Sequence, residues 1–237
     1  TKIPEYDVLL KYWKDGGEKP SADFAKKTLM KIADNYKMEN LTVKPDVIDA
    51  MFRQVQTNAT KPYKKNAIPG KIAATHYDLG TTGFAYYDKD FVNYRIETGK
   101  FDEWNKGNTM RNDGVDILPC NDSGSNGYQV SFIENDEWLQ YTVEVAKQNS
   151  YKVSIRYSSE NEEGKLHLEM DNGKKTESIS LPSTGGNNNW KTIVLYDVDL
   201  NKGTNKIKVV FDKGNFNLNY LEFAASRKKS VQKGTKN

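Results

Sequence analysis

The chain has 237 residues, a formal net charge of +3 and a mean hydropathy of −0.81, which leaves room for one sizeable core with an appendage, or for two small domains. Collagen-like and coiled-coil classes are excluded by composition, no apolar run approaches the roughly 20 residues that span a bilayer, and the opening TKIPEYDVLL lacks a signal peptide's basic start and long apolar centre. The charge sits at the ends: residues 1–66 carry thirteen basic and nine acidic side chains, residues 227–237 five basic and none acidic, and residues 67–226 seventeen basic and twenty-three acidic, so the middle repels nucleic acid and heavily sulfated glycans.

Three short amphipathic helices are expected first. Tyr6, Val8, Leu9, Leu10 and Tyr12 mark one that ends at Gly16–Gly17. Ser21 is an N-cap for a second over residues 22–35, with Phe24, Leu29, Ile32 and Ala33 on one face. Pro45, a favoured first-turn residue, opens a third through Val47, Ile48, Met51, Phe52 and Val55. The expected division is a helical segment over 1–57, a linker over 58–67, a β-domain over 68–226 and a disordered, solvated basic tail over 227–237.

From Ile68 onward the apolar period changes to two. In WLQYTVEVA, Leu139, Tyr141, Val143 and Val145 alternate with Trp138, Gln140, Thr142 and Glu144. Similar runs lie at 151–158, 165–171, 190–198, 205–212 and 217–223, and the DNG at 171–173 predicts a type I′ hairpin turn. Short alternating strands between Gly, Asn, Asp and Ser clusters predict a mainly β fold, a β-sandwich of jelly-roll type preceded by the helices. Trp138 and Trp190, each opening a strand, are expected to be packing residues.

Catalytic and metal chemistry find little support. His76 and His167 share no metal spacing with the lone Cys120, which has no internal disulfide partner, and the chain lacks HExxH, GxSxG and a phosphate-binding glycine loop. His167, between Leu166 and Leu168, is expected to face solvent. Glu134, Asp136 and Glu137 read as a solvated turn rather than as a glycosidase pair. What remains is aromatic and amide side chains in turns, the combination that suits a sugar ring's apolar face and its vicinal hydroxyls.

Several ordered motifs resemble family 6 of the carbohydrate-binding modules: IPGKIAATHYDLGTTGFAYYD from Ile68, VDI at 115–117, GYQVSFIENDEWLQYTVEVA at 127–146, LPSTGGNNNWKTI at 181–193 and FNLNYLEF at 216–223. The resemblance covers about residues 68–224. It implies a non-catalytic, galactose-binding-like sandwich attached to a secreted polysaccharide-degrading enzyme, extracellular or periplasmic. Its partners would be a neutral or weakly charged polysaccharide or oligosaccharide and a covalently linked catalytic domain, with no role for nucleic acid or membrane. The resemblance also places the site. Phe132 would form one aromatic wall, and Asn217, ahead of Asn219, would hydrogen-bond the sugar. Asn187 stands where the family has a second aromatic wall. Trp104, in the long segment 96–114, is the candidate replacement, the alternative being that it covers the helices or a sheet edge. The structural calcium that family members often carry would be held partly by glutamates where this chain has Ala73 and Thr75, so this site is expected to be empty or weak and no cofactor is expected, with Asp78 or backbone oxygens left to serve a different site. The alternative function is a structural sandwich of a glycoside hydrolase with little or no glycan binding. The first sixty-six residues are too few to be a catalytic barrel.

Overall fold

The computed structural model describes residues 3–89, 94–95, 100–101, 105–107 and 109–226, with backbone alone at 94–95 and 100–101. Trp104 and the basic segment 227–237 lie outside the described residues. The chain divides into two compact units, Thr1–Lys44 and Pro45–Asn237.

In the first unit, α1 (Pro4–Asp15) starts on a proline, whose missing N–H is not needed in the first turn. It stops at Gly16, with φ of 66°. α2 (Ala22–Asn35) is capped as expected: the Ser21 hydroxyl accepts a hydrogen bond from the Phe24 N–H at 3.2 Å. Its expected apolar face is not buried, however. Leu29 and Ala33 stay exposed and Thr28 is the buried side chain, its hydroxyl donating to the Phe24 carbonyl. A unit of this size encloses too little volume to cover a full helix face.

The second unit opens with α3 (Pro45–Phe52), which starts where expected but lies the other way round. Asp46 and Asp49 are buried, while Ile48, Met51 and Phe52 are exposed. The carboxylates face inward because their partners are there. Asp49 accepts two bonds from Arg53 at 2.6 Å and one from Gln54 at 2.9 Å, and Asp46 accepts the Asn112 N–H at 2.8 Å. Arg53 in turn donates to the carbonyls of Ala59 and Leu79. The segment expected as a linker is thereby held down: Lys61 pairs with Leu79, and Asn66 already belongs to the first strand.

Among the described residues fourteen strands follow: β1 (Asn66–Ile68), β2 (Gly70–Ala73), β3 (Tyr86–Tyr87), β4 (Tyr94–Arg95), β5 (Lys100–Phe101), β6 (Ile117–Pro119), β7 (Tyr128–Val130), β8 (Glu137–Val145), β9 (Asn149–Ser159), β10 (Gly164–Met170), β11 (Ile179–Leu181), β12 (Gly186–Leu200), β13 (Gly203–Lys213) and β14 (Asn217–Ala225). One sheet runs β1-β8-β13-β10-β11, with β3 also on β8. The other runs β12-β9-β14-β7-β6, with β2 on β14, and β4 pairs with β5 separately. This is the expected mainly β sandwich.

The alternation fixes which side chains enter the space between the sheets. Leu139, Tyr141, Val143 and Val145 of β8, Tyr151, Val153, Ile155 and Tyr157 of β9, and Ile207, Val209 and Phe211 of β13 are all buried in one core. At roughly 1.5–3 kcal/mol for each fully buried large apolar side chain, this layer is the main favourable term in the unit. Trp138 falls on the opposite face of β8, half-buried, with the Lys208 ammonium 4.0 Å from its ring centroid. It is therefore not a core residue. The turn at 171–173 also departs from expectation. The Gly173 N–H bonds back to Met170, and only Gly173, not Asn172, has positive φ, which makes a type I turn followed by a left-handed glycine instead of type I′.

Candidate functional site

Register brings three of the four candidate residues to one end of the second sheet. Leu218 pairs with Val130, Asn217 with Ser158, and Gly186 with Ser159. The loop after β7, which carries Phe132, therefore lies at the same end as the first residues of β14 and β12, which carry Asn217 and Asn187. Phe132 is 52% exposed with φ of 52°, a left-handed conformation that costs a bulky residue energy and marks a position held for another reason. The fourth candidate, Trp104, lies outside the described residues.

The loop beside Phe132 is braced from below. Lys106 places its ammonium 5.1 Å from the Phe132 ring centroid and 3.3 Å from the buried Asp116 carboxylate. Asp116 also accepts the Lys106 N–H at 2.6 Å, and its carbonyl accepts the Ser131 N–H at 2.9 Å. Gly107 permits the approach, since a Cβ there would lie 1.5 Å from the Ile117 carbonyl oxygen. On the neighbouring strands Asn217 is 8% exposed, its Nδ2 donating to the Ser158 hydroxyl at 3.1 Å and to the Asn187 carbonyl at 3.3 Å. Asn187 thus contributes its main chain to this end, and its side chain stays exposed.

Next to Asn187 the outer face opens into a hollow of about 550 Å³, lined among others by Asp122, Arg156, Thr184, Asn188, Asn189 and Trp190. Arg156 donates to both oxygens of Asp122 at 2.8 and 2.6 Å, and the buried Asn219 donates to Asp122 at 2.7 Å. The hydrogen bond from Arg156 holds the Asp122 carboxyl below its ordinary pKa, against the opposing effect of burial. Asn219 Oδ1 is buried without a partner among the described residues. Sequence reading missed Asp122 and Arg156, and took the half-buried Trp190 for packing. The Asn-rich run after Gly185–Gly186 was the available signal.

No described group is arranged for nucleophilic catalysis. His167 faces away from the core, as expected, and is partly covered there, its Nδ1 2.9 Å from Asp212 and its Nε2 3.3 Å from Glu169. The Ser178 hydroxyl donates to that same Asp212 carboxylate at 2.6 Å, so the acid stands between serine and histidine and does not align the imidazole on the hydroxyl. Glu137 is buried and braces its loop by accepting the N–H groups of Glu134 and Lys89 at 2.9 and 3.1 Å; burial raises its pKa. It is a buried brace, where a solvated turn residue was expected.

Where the family resemblance implies glutamate ligands to calcium, Ala73 and Thr75 supply no carboxylate. Ala73 offers no side-chain ligand, the Thr75 hydroxyl accepts from Asn126 at 3.0 Å, and the Thr75 carbonyl faces the Arg111 guanidinium at 3.5 Å. Among the described residues no three His, Cys, Asp or Glu side chains gather as a metal site. Calcium prefers six to eight oxygen ligands, several of them charged. Among the described residues no helix is long and apolar enough to cross a membrane.

Against known proteins, residues 111–223 match the family model described as carbohydrate binding module (family 35). The clotting factor G alpha subunit of Tachypleus tridentatus is 32% identical over 98 residues, 40% of this chain; the chain spans 14% of the length of that relative. Among solved structures, the family 6 module of Cellvibrio mixtus lichenase 5A, in complex with cellotriose, is 29% identical with a TM-score of 0.44, over 48% of this chain and 88% of that one. The C-terminal family 6 module of a marine laminarinase from Zobellia galactanivorans is 25% identical with a TM-score of 0.42, over 46% and 87%. Residues 111–223 of the sandwich are thus similar to carbohydrate-binding modules.

Proposed function

We propose that the chain docks a neutral or weakly charged polysaccharide at the end of the second sheet, with Phe132 as the stacking surface and Asn217 as the amide that reads a hydroxyl. By doing so it holds a covalently linked glycoside hydrolase, secreted to the extracellular space or periplasm, at its substrate. The chain itself performs no turnover. The observation that carries this reading is Phe132, a bulky aromatic kept half out of the protein at positive φ, where a glycine would be less strained. The hollow with Trp190 and Asn189 supplies further aromatic and amide groups for sugars on either side of the one stacked on Phe132. A shallow site of this kind loses much of its gain to ligand ordering, so affinities in the range of roughly micromolar to millimolar are expected.

A second reading, a structural sandwich with little glycan binding, is favoured by one observation: the Asn217 amide already has two internal acceptors, and Lys106 lies over the Phe132 ring. Sedimentation of the full chain with insoluble polysaccharides separates the two readings. Co-sedimentation with one polysaccharide, released by its soluble oligosaccharide, supports binding; recovery in the supernatant with every polysaccharide supports the structural role.

A further inference from the structure

Arg111 has a fully buried side chain, 0% exposed. Its guanidinium is surrounded by oxygen. The Thr75 carbonyl accepts from it at 3.5 Å, the Asp78 carbonyl at 3.0 Å and the Tyr77 carbonyl at shorter range, and the Asp113 carboxylate lies at 2.7 and 3.0 Å. Two rings close the cage, Tyr77 at 3.5 Å and Tyr63 at 4.8 Å from the guanidinium carbon, and the Tyr77 hydroxyl donates to Asp113. The Asp78 carboxylate takes no part, because Thr142 and Gln140 occupy it.

Three main-chain carbonyls and a largely buried carboxylate face one buried guanidinium and take its N–H groups in place of water. Without that cation they would be left unpaired and mutually repelling. Hard divalent cations select this donor chemistry, carbonyl and carboxylate oxygen. The carbonyls come from the stretch just after β2. We propose that the Arg111 guanidinium is the resident cation of this oxygen cage, so that the sandwich takes no divalent metal there, and that removing the guanidinium opens the cage to one.

The test is thermal unfolding of the full chain in EDTA and in millimolar calcium, alongside terbium luminescence sensitised by the cage tyrosines. The native chain is expected to melt at one temperature in both conditions and to give no saturable terbium signal. Arg111→Ala is expected to melt lower in EDTA, by on the order of 10 °C. Calcium should recover part of that loss and compete away a new terbium signal. Arg111→Lys, which keeps the charge on a single amine, is expected to fold, to melt between the other two and to ignore calcium. A native chain stabilised by calcium, with a terbium signal that Asp113→Asn removes, overturns the proposal. So does a folded Arg111→Ala that calcium leaves unchanged. Should Arg111→Ala be unfolded in EDTA, recovery by calcium supports the proposal. Should it be unfolded in both, Arg111→Lys and the native chain decide, and calcium dependence in either one overturns it.

Discussion

The Asn217 side-chain amide donates to the Ser158 hydroxyl at 3.1 Å, and that hydroxyl donates onward to the Asn187 carbonyl at 2.6 Å. One amide thus staples β14, β9 and the start of β12 at the end where Phe132 emerges. Asn217→Ala leaves buried groups unpaired and is expected to cost about 1–3 kcal/mol, a Tm fall of a few degrees for a chain of this size, together with glycan binding. Ser158→Ala breaks the same staple without touching a sugar ligand. It is expected to lower the melting temperature while binding persists, and calorimetry of both variants separates the two effects.

Phe132 carries a different prediction, because its backbone is strained. Phe132→Gly relieves the positive φ and is expected to raise stability by on the order of 1 kcal/mol, seen as a Tm about 2–4 °C higher, while abolishing binding. Phe132→Ala keeps the strain and is expected to leave stability near native while weakening binding by about 1–3 kcal/mol, using base-on-aromatic stacking as the nearest measured scale. Thermal melts beside titration with an oligosaccharide would read both. A less stable Phe132→Gly contradicts the account of this residue.

The pH dependence of stability follows from Asp122. Its folded pKa is held below the ordinary value by Arg156, so between the two values the unfolded chain binds more protons and stability rises with pH. The contribution is complete above the unfolded carboxylate value of about 3.9 and is lost as pH falls through the folded value. Asp122→Asn is therefore expected to destabilise the chain at neutral pH. The gap to the native chain should close as acid unfolding is approached, which urea titrations at stepped pH would measure.

Trp190 lines the hollow next to Asn187 and is half-buried. A sugar lying across this hollow changes the environment of the ring, so the indole emission is expected to shift on saturation with oligosaccharide. Trp190→Ala is expected to weaken binding less than Phe132→Ala does. An unchanged spectrum at saturation would confine the ligand to the Phe132 side.

Local rules made much of the fold legible. Ser21, Gly16 and Pro45 marked helix ends because capping and turn chemistry act within a few residues, and the two-residue alternation around Leu139 and Tyr141 marked the core because each sheet has one buried face. Where tertiary partners override local pattern, the reading failed. The apolar stripe of α3 predicts burial, but Asp49 and Arg53 turn the helix over. Trp138 and Trp190 looked like core residues by type, although their positions in the alternation put them on outer faces. The candidate end of the sheet was legible through motif resemblance. Asp122, Arg156 and the cage of Arg111 were not, since Asp122 lies 34 residues from Arg156 and the cage carbonyls lie 33 to 36 residues from Arg111.

The most direct test of the central claim is affinity electrophoresis of the full chain through gels containing individual soluble plant and algal polysaccharides, with Phe132→Ala run beside the native protein. The account predicts that one polysaccharide retards the native chain and that the retardation disappears in Phe132→Ala while both proteins stay folded. Equal mobility in every gel, or retardation that survives the loss of Phe132, would contradict it.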